Sequence, residues 1–150
     1  MLKLLPLFAV FFLASSGDSQ WTDFNGHSYH LTPLRLNWDA ANQYCLSHGA
    51  DLVSIHSVEE QNFVAGLVNA VEYWTWTGAF RPSPGNKFVW TDGTAFDYNN
   101  WKQPKYPQKN PAYNCVSFSD KDFLDINGQP INNTWTNNPC KNEGMALCKK

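Results

Sequence analysis

Residues 74–101 read WTWTGAFRPSPGNKFVWTDGTAFDYNNW, and this stretch decides how the fold is interpreted. Aromatic residues alternate here with small or polar ones, and Gly, Pro and Asp-Gly interrupt them, which is typical of short strands joined by turns. Cys115, Cys140 and Cys148 follow. Aromatic strands tied off by late cysteines favour an extracellular recognition domain over an enzyme core.

The motifs of this stretch resemble those of the C-type lectin-like domain. Residues 76–79 (WTGA) stand where that family has its WIGL core strand, residues 90–93 (WTDG) match its W-x-D-G hairpin, and residues 98–101 (YNNW) follow in family order. Several motifs in one order make the match specific. The resemblance covers residues 21–150 and implies an α+β fold with two helices, antiparallel β-sheets, a long irregular loop region and two disulfides.

The N-terminus predicts a signal peptide over residues 1–16, with its boundary between residues 16 and 20. Lys3 precedes an apolar run over residues 4–13, and small residues follow. This is the pattern of a secretory leader, too short for a helix that spans a bilayer. No later segment has the roughly 20 apolar residues that a transmembrane helix needs. We therefore expect a secreted, extracellular protein without membrane insertion, whose domain occupies residues 21–150.

The composition limits the function classes. The mature chain is long enough for one domain with a hydrophobic core, and its aromatic residues supply that core. A net charge of -2 argues against a nucleic-acid partner, because phosphate contacts need a basic face. No H-E-x-x-H or G-x-S-x-G motif occurs, so we expect no enzyme activity. The four histidines lack the spacing of a metal site and are expected at the surface or as helix caps.

The four cysteines predict two disulfides, since a secreted chain folds in an oxidising compartment. The sequence alone does not choose among the pairings that four cysteines allow. The family resemblance implies that Cys45 pairs with Cys148 and closes the whole domain. It also implies that Cys115 pairs with Cys140 and closes the loop region.

Two amphipathic segments predict the two helices. Asn37 offers an N-cap for the first, and Gly49 stands where its C-terminal cap belongs. Its apolar face consists of Trp38, Ala41 and Cys45. The second helix begins at a capping box over residues 57–60 (SVEE), in which Glu60 is expected to bond back to the backbone of the first residue. Its apolar positions continue to Val71.

Sugar-binding members of the family hold Ca²⁺ through a tripeptide such as E-P-N, a Glu before the next cysteine, and a W-N-D motif. In this chain the tripeptide position holds residues 106–108 (YPQ) or, in a second register, residues 103–105 (QPK). Tyr113 stands at the Glu position, while Thr136 and Asn137 replace the Asn and Asp of the last motif. A hard cation needs carboxylate charge. We therefore expect no metal at this position and no cofactor.

The polar segment 99–114 predicts a long irregular loop, and a loop of this length in a compact domain is usually functional or disordered. Its basic and aromatic side chains favour a sulfated or otherwise anionic glycan, or an acidic protein surface. The alternative is a solvated loop whose lysines serve solubility. The candidate ligand-binding residues are Lys102, Lys105, Tyr106, Gln108, Lys109, Tyr113, Thr136 and Asn137.

Two features follow this loop in the sequence. Asp120, Asp122 and Asp125 indicate turns, with an auxiliary calcium site as the alternative. The sequon that begins at Asn132 predicts N-glycosylation in a secreted protein. Both features lie between the second and third of the four cysteines.

The function we expect is that of a secreted, non-catalytic recognition module that resembles C-type lectins. Its ligand would be an extracellular carbohydrate or protein, bound without calcium at the usual sugar site. The alternative is a structural or assembly protein of a secreted extracellular matrix. Fold resemblance does not choose between the two, since one fold carries many functions.

Overall fold

A computed structural model describes residues 20–68, 73–83, 85–118 and 134–150. The predicted signal peptide, Val71, the aspartates at 120, 122 and 125, and the sequon at Asn132 lie outside these ranges. No helix within them is long and apolar enough to cross a bilayer. The elements are β1 (Thr22–Phe24), β2 (His27–Leu31), α1 (Trp38–Ser47), β3 (Asp51–Leu52), α2 (Val58–Val68), β4 (Thr75–Phe80), β5 (Val89–Trp90), β6 (Cys115–Phe118), β7 (Trp135–Asn138) and β8 (Met145–Lys149).

The strands of the described residues form one sheet in the order β1-β2-β8-β4-β6-β7, with β3 beside β8 and β5 beside β4. The α+β class is confirmed. The prediction of purely antiparallel pairing is wrong for one pair, because β4 and β8 run parallel, with Thr75 opposite Met145 and Trp76 opposite Ala146. Side-chain alternation reports which face of a strand is buried and carries no information about strand direction.

Helix α1 begins and ends where the sequence predicts. The Asn37 side chain accepts a hydrogen bond from the Ala40 amide at 2.9 Å, and Gly49 follows the helix with φ 67°. The predicted face is the buried one, and it consists of Trp38, Ala41 and Cys45. Burial of this face packs α1 against β8, which brings Cys45 to Cys148.

Helix α2 begins at the predicted cap, where Ser57 Oγ accepts from the Glu60 amide at 3.1 Å. The prediction for the Glu60 side chain is wrong. Its Oε2 accepts from the amide of His56 at 2.8 Å, and its Oε1 accepts from the Tyr29 hydroxyl at 2.7 Å and from Lys149 Nζ at 2.5 Å. A charged partner on β8 therefore takes the carboxylate that the capping box would use.

The ionised form of Glu60 is the stable one in the folded protein. Burial opposes its ionisation, but the hydrogen bonds from Lys149, Tyr29 and the His56 amide outweigh burial and hold the pKa of Glu60 below its ordinary range. Burial and the bond to Glu60 together raise the pKa of Tyr29. The network thus joins β2, α2 and β8 through a buried ion pair.

Strand β4 requires glycine at position 78. A Cβ at Gly78 would lie 2.6 Å from the Leu52 carbonyl oxygen and 2.7 Å from Thr91 Oγ1. The Gly78 amide donates to Val53, and its carbonyl accepts from Thr91. This close approach of backbones fixes the β5 turn at residues 90–93 against β4. The long loop begins from that turn.

Both predicted disulfides are confirmed. Cys45 pairs with Cys148 and ties α1 to β8, and Cys115 pairs with Cys140 and ties the start of β6 to the segment after β7. No cysteine in the described ranges is free. One bridge therefore belongs to the helix and sheet, and the other lies at the base of the loop region.

The surface prediction for the histidines is wrong at His30, which is 6% exposed. Its Nδ1 lies 3.1 Å from the Gln20 carbonyl oxygen, and its Nε2 lies 3.0 Å from the Tyr44 hydroxyl. These two partners satisfy both ring nitrogens, so burial leaves neither without a hydrogen bond. His48 does cap α1, as expected.

Candidate ligand-binding site

The long loop runs from residue 91 to residue 114, between β5 and β6, without a helix or strand. This confirms the irregular segment predicted over 99–114 and extends it toward the N-terminus. Its middle lies along β7, because the Trp135 amide donates to the Asn100 carbonyl at 2.8 Å and the Lys102 amide donates to the Trp135 carbonyl at 2.9 Å. Strand β7 therefore serves as the floor of the loop.

Trp135 is the central side chain of that floor and is fully buried. Its indole Nε1 donates to Gln61 Oε1 on α2 at 2.9 Å. Four rings meet its face or edge at steep angles, with centroid distances between 5.6 and 6.2 Å, and they belong to Trp90, Phe96, Tyr98 and Trp101. Edge-to-face pairs of this kind add to the energy of burial. Phe96, Tyr98 and Trp101 thus anchor the loop to β7, beside Trp90 of β5.

Polar bonds fix the first part of the loop to the segment before α2. Asp92 accepts from the Ser54 hydroxyl at 2.5 Å and from the Thr94 amide and hydroxyl at 2.9 and 2.6 Å. Burial raises the pKa of Asp92, but these bonds outweigh it and lower the pKa overall. The bond from His56 to Asp97, at 2.8 Å, lowers the pKa of Asp97. Both carboxylates are therefore ionised near neutral pH.

The contacts of Asn137 choose between the two registers of the tripeptide. Asn137 Oδ1 accepts from the Gln108 amide at 2.7 Å, and Asn137 Nδ2 donates to the Gln108 carbonyl at 2.9 Å. Residues 106–108 (YPQ) therefore lie beside β7, while residues 103–105 (QPK) come earlier in the loop. The Gln103–Pro104 and Tyr106–Pro107 peptide bonds are both cis.

The donor set around Asn137 does not fit a calcium ion. A second bond runs from Asn137 Nδ2 to the Tyr113 carbonyl at 2.8 Å. Because Oδ1 accepts from an amide N–H, the NH₂ group of Asn137 points at the carbonyl oxygens of Gln108 and Tyr113, and an NH₂ group cannot serve as a ligand of Ca²⁺. No group of three or more His, Cys, Asp or Glu side chains in the described ranges is arranged to hold a metal.

Thr136 and Asn137 do not form the exposed ligand face that the sequence predicts. Thr136 is 6% exposed and Asn137 is fully buried. The Thr136 hydroxyl accepts from Asn138 Nδ2 at 3.0 Å. Asn137 holds the loop, whereas Thr136 and Asn138 bond to each other and to Ser117 of β6, so none of the three is presented to solvent. Sequence motifs record these positions without revealing which way the side chains point.

The remaining candidate residues divide by exposure. Lys105 and Lys109 are exposed, whereas Lys102 is half-buried. Tyr106, Gln108 and Tyr113 are half-buried as well. The structure therefore leaves two lysines of the predicted three on the outer surface of the loop, with partly exposed tyrosines on the same segment of chain.

Arg81 is the residue that sequence reasoning missed. It follows β4, is 8% exposed, and its guanidinium lies 5.1 Å from the centre of the Phe88 ring. Its Nη2 donates to the carbonyls of Asn110 and Tyr113 at 2.9 and 3.0 Å, and its Nε donates to the side chain of Asn114 at 3.0 Å. The sequence signal is only a general one: an irregular loop with many carbonyls needs donors, and nothing in the sequence singles out Arg81 as one of them.

The chain is similar in sequence to known lectins. The family model described as the Lectin C-type domain matches residues 34–150. The C-type lectin lectoxin-Lei1 of Leioheterodon madagascariensis is 31% identical over 134 residues, which cover 86% of this chain and 80% of that protein. The galactose-specific lectin nattectin of Thalassophryne nattereri is 27% identical over 139 residues, covering 91% of this chain and 81% of that protein.

The fold comparison points the same way. The crystal structure of a calcium-independent type II antifreeze protein matches with a TM-score of 0.73 and 27% sequence identity. The match covers 87% of this chain and 90% of that chain. The two proteins therefore share the same overall fold.

Proposed function

Since the chain belongs to the C-type lectin domain family, we propose that it is a secreted, non-catalytic recognition module that binds an anionic extracellular glycan through its long loop, without calcium. The observation that carries the proposal is the exposure of Lys105 and Lys109 on a segment of the loop that has no acidic residue. This segment, residues 99–114, contains three lysines and no aspartate or glutamate, in a protein whose net charge is -2. The segment is therefore positively charged, whereas the chain as a whole is negative.

A sulfated glycan suits this surface on physical grounds. Sulfate groups are fixed anions, and exposed lysines attract them as flexible point charges. Tyr106 and Tyr113 add partly exposed rings on which the apolar face of a sugar can pack. Lys105 and Lys109 are four residues apart on the chain, and a polyanion can contact both at once.

Two of the relatives support parts of the proposal. Nattectin is named as a galactose-specific lectin, so a related chain of similar length recognises a carbohydrate. The antifreeze protein of the same fold is described as calcium-independent. Within this chain, the NH₂ group of Asn137 occupies the two loop carbonyls, which supports recognition that needs no ion.

The test is binding of a heparin fragment, measured by calorimetry at about 0.1 M and about 1 M salt, where the Debye length is roughly 10 and 3 Å. We expect affinity to fade at the higher salt and to survive EDTA. The variant Lys105→Ala/Lys109→Ala should bind at least about tenfold more weakly, if each lost contact removes about 1 kcal/mol. Lys102→Ala is tested separately because Lys102 is half-buried.

The matched control is Lys87→Ala/Lys141→Ala, which removes two exposed lysines outside the long loop. It makes the same change in net charge and should retain parent affinity. Equal loss in both double variants would mean that only net charge matters, and loss of binding in EDTA would contradict calcium independence. Absence of heparin binding combined with self-association of the purified protein would favour the alternative role in matrix assembly.

A further inference from the structure

We infer that Arg81 and Asn137 act together as an internal clasp, joined at the carbonyl oxygen of Tyr113, which holds the ligand-binding loop in one shape. In this clasp Arg81 is a built-in cation and Asn137 a built-in amide donor. The relevance of the clasp to ligand binding rests on the function proposed above. The clasp itself rests only on contacts within the chain.

Asn137 contributes the first half of the clasp. Its amide group makes three bonds to the main chain of the loop, one at the amide of Gln108, one at the Gln108 carbonyl and one at the Tyr113 carbonyl, all between 2.7 and 2.9 Å. The side chain is fully buried. A buried amide with its donors and acceptor satisfied by one loop fixes that loop to its strand.

Arg81 contributes the second half. Its guanidinium bonds to three oxygens, the carbonyls of Asn110 and Tyr113 and the side-chain oxygen of Asn114. The ion pairs among the described residues are His56–Asp97 and Lys149–Glu60, so within those ranges no carboxylate partners Arg81. A buried charge must be compensated by hydrogen bonds or a counter-charge, and here loop oxygens supply the compensation.

The two halves meet at one atom. The Tyr113 carbonyl oxygen accepts from Asn137 Nδ2 at 2.8 Å and from Arg81 Nη2 at 3.0 Å. A carbonyl oxygen has two lone pairs and can accept both bonds. Displacement of this carbonyl therefore disturbs both donors, so loss of one half should loosen loop atoms that only the other half contacts.

The guanidinium shape matters for this arrangement. Its planar fork places N–H groups in fixed directions, whereas a lysine ammonium offers a single point of charge. The centre of the Phe88 ring lies 5.1 Å from Arg81 Cζ, so the guanidinium also has an aromatic neighbour. Arg81→Lys keeps the charge and removes the fork, which makes it the informative substitution.

The clasp holds residues that belong to the proposed binding surface or stand next to it in the chain. Lys109 follows Gln108 directly, and Tyr113 carries the shared carbonyl. A loop that is ordered before the ligand arrives loses less conformational entropy on binding. The clasp thus acts as a positioning device for Lys109 and Tyr113, whose side chains are the groups available to the ligand.

The experiment is hydrogen exchange of single backbone amides in the full chain, comparing the parent with Arg81→Lys. The Tyr113 amide, which bonds to the Asn110 carbonyl, reports on the region that Arg81 contacts. The Gln108 amide bonds to Asn137 and does not touch Arg81. We expect both to exchange about tenfold faster or more, since charge-assisted hydrogen bonds are the stronger ones and every 1.4 kcal/mol is about tenfold.

The control is Arg35→Lys, which changes the other arginine of the chain, an exposed one that lies over the Tyr73 ring. Amides of β4 should be unchanged in both variants. Asn137→Ala gives a reciprocal measurement through the Tyr113 amide, and it keeps the test open if Arg81→Lys does not fold. Faster exchange at Tyr113 with no change at Gln108 would show two separate supports and overturn the clasp.

Heparin binding by the same variants separates the clasp from the proposed function. If the exchange rates rise as expected but the parent binds no heparin, the clasp stands and the anionic-glycan proposal fails. If the parent binds heparin and neither exchange nor affinity changes in Arg81→Lys, the clasp is wrong and the proposed function stands. Weaker heparin binding together with faster exchange supports both.

Discussion

The network around Glu60 joins helix α2 to strand β8 with opposite charges, whereas the clasp around Asn137 joins the long loop to strand β7 and Arg81 through carbonyl and amide oxygens. Both are buried. In the first, a carboxylate faces an ammonium group and a phenol. In the second, main-chain oxygens face a guanidinium and a carboxamide. The two regions hold their parts together with different chemistry.

The difference follows from the secondary structure at each place. Helix α2 and strand β8 satisfy most of their own backbone groups, so a side chain buried between them needs only a side-chain partner. The loop over residues 91–114 has no ladder to satisfy its carbonyls, and a buried carbonyl without a donor is costly. Donor-rich side chains therefore serve the loop better than carboxylates do.

Each region also has its own disulfide. The bridge Cys45–Cys148 spans 103 residues and belongs to the helix and sheet, while the bridge Cys115–Cys140 spans 25 residues and lies at the base of the loop. In the chain-entropy model a longer closed segment stabilises more. Removal of a bridge is therefore the substitution with the largest expected effect on stability in each region.

The first prediction concerns these bridges. Cys45→Ala/Cys148→Ala should lower the free energy of unfolding by roughly 4 to 5 kcal/mol, and Cys115→Ala/Cys140→Ala by roughly 3 to 4 kcal/mol, since the constraint on the unfolded chain is smaller. Urea unfolding of the three proteins measures the difference. Heparin binding should suffer more in the second variant despite its smaller global loss. The reverse order of binding loss would break the division into regions.

The second prediction concerns the charged network. Glu60→Gln leaves the ammonium of Lys149 buried without its counter-charge and should cost about 3 to 5 kcal/mol of unfolding free energy. The exchange rates of the Gln108 and Tyr113 amides should rise no more than the loss of global stability requires, because the loop does not depend on this network. Equal loosening of the loop would show that the regions are coupled.

The Glu60 network also makes the stability of the protein depend on pH. The pKa of Glu60 is lower in the folded protein than its ordinary value of 4.5, so its contribution is present above that pH and is lost as pH falls through the folded pKa. The parent should therefore lose stability on acidification below about pH 4.5, and Glu60→Gln should lose less. Asp92, whose pKa is also lowered, stays in both proteins and cancels in the comparison.

The sequence predicted the regular parts of the fold through local signals. Asn37 and Ser57 begin helices because side-chain oxygens next to an amphipathic segment cap free amides. The irregular loop was predictable from its prolines and asparagines. Strand direction at β8 was not, because the pairing of β4 with β8 depends on chain tracing between distant segments.

The sequence predicts which residues belong to the candidate site, but it does not predict which of their side chains face solvent. The lysines of the loop could be identified from charge alone, and Lys105 and Lys109 are exposed. The motif position of Asn137 predicts a ligand contact, yet its side chain is buried and holds the loop. The role of Arg81 is not predictable from sequence, because Arg81 stands in a turn-rich segment and only the path of the loop brings Asn110 and Tyr113 to it.

The last prediction concerns Asn137→Asp, which puts a carboxylate into the clasp, the group that the charged network uses. In Asn137→Asp a carboxylate oxygen replaces the NH₂ group that lies 2.9 and 2.8 Å from the carbonyls of Gln108 and Tyr113. Three acceptors then face one another, and the loss should be about 1 to 3 kcal/mol of unfolding free energy near neutral pH. Asn99→Asp, the same change at an exposed loop position, should cost almost nothing.

The two regions should then respond to acid in opposite directions. Facing carbonyls disfavour the ionised form of the carboxyl group that Asn137→Asp introduces, so the folded pKa of that group is raised and the lost stability returns as pH falls toward that pKa. Thermal unfolding between about pH 7 and pH 5, above the range in which Glu60 titrates, isolates this gain.

Calcium should not replace the proton effectively, and Thr136→Asn/Asn137→Asp should not create calcium-dependent sugar binding, because Tyr106 and Tyr113 supply no carboxylates. Tight calcium binding by that double variant, measured by calorimetry, would show that charge at position 137 alone decides whether the loop is held by an ion or by the clasp.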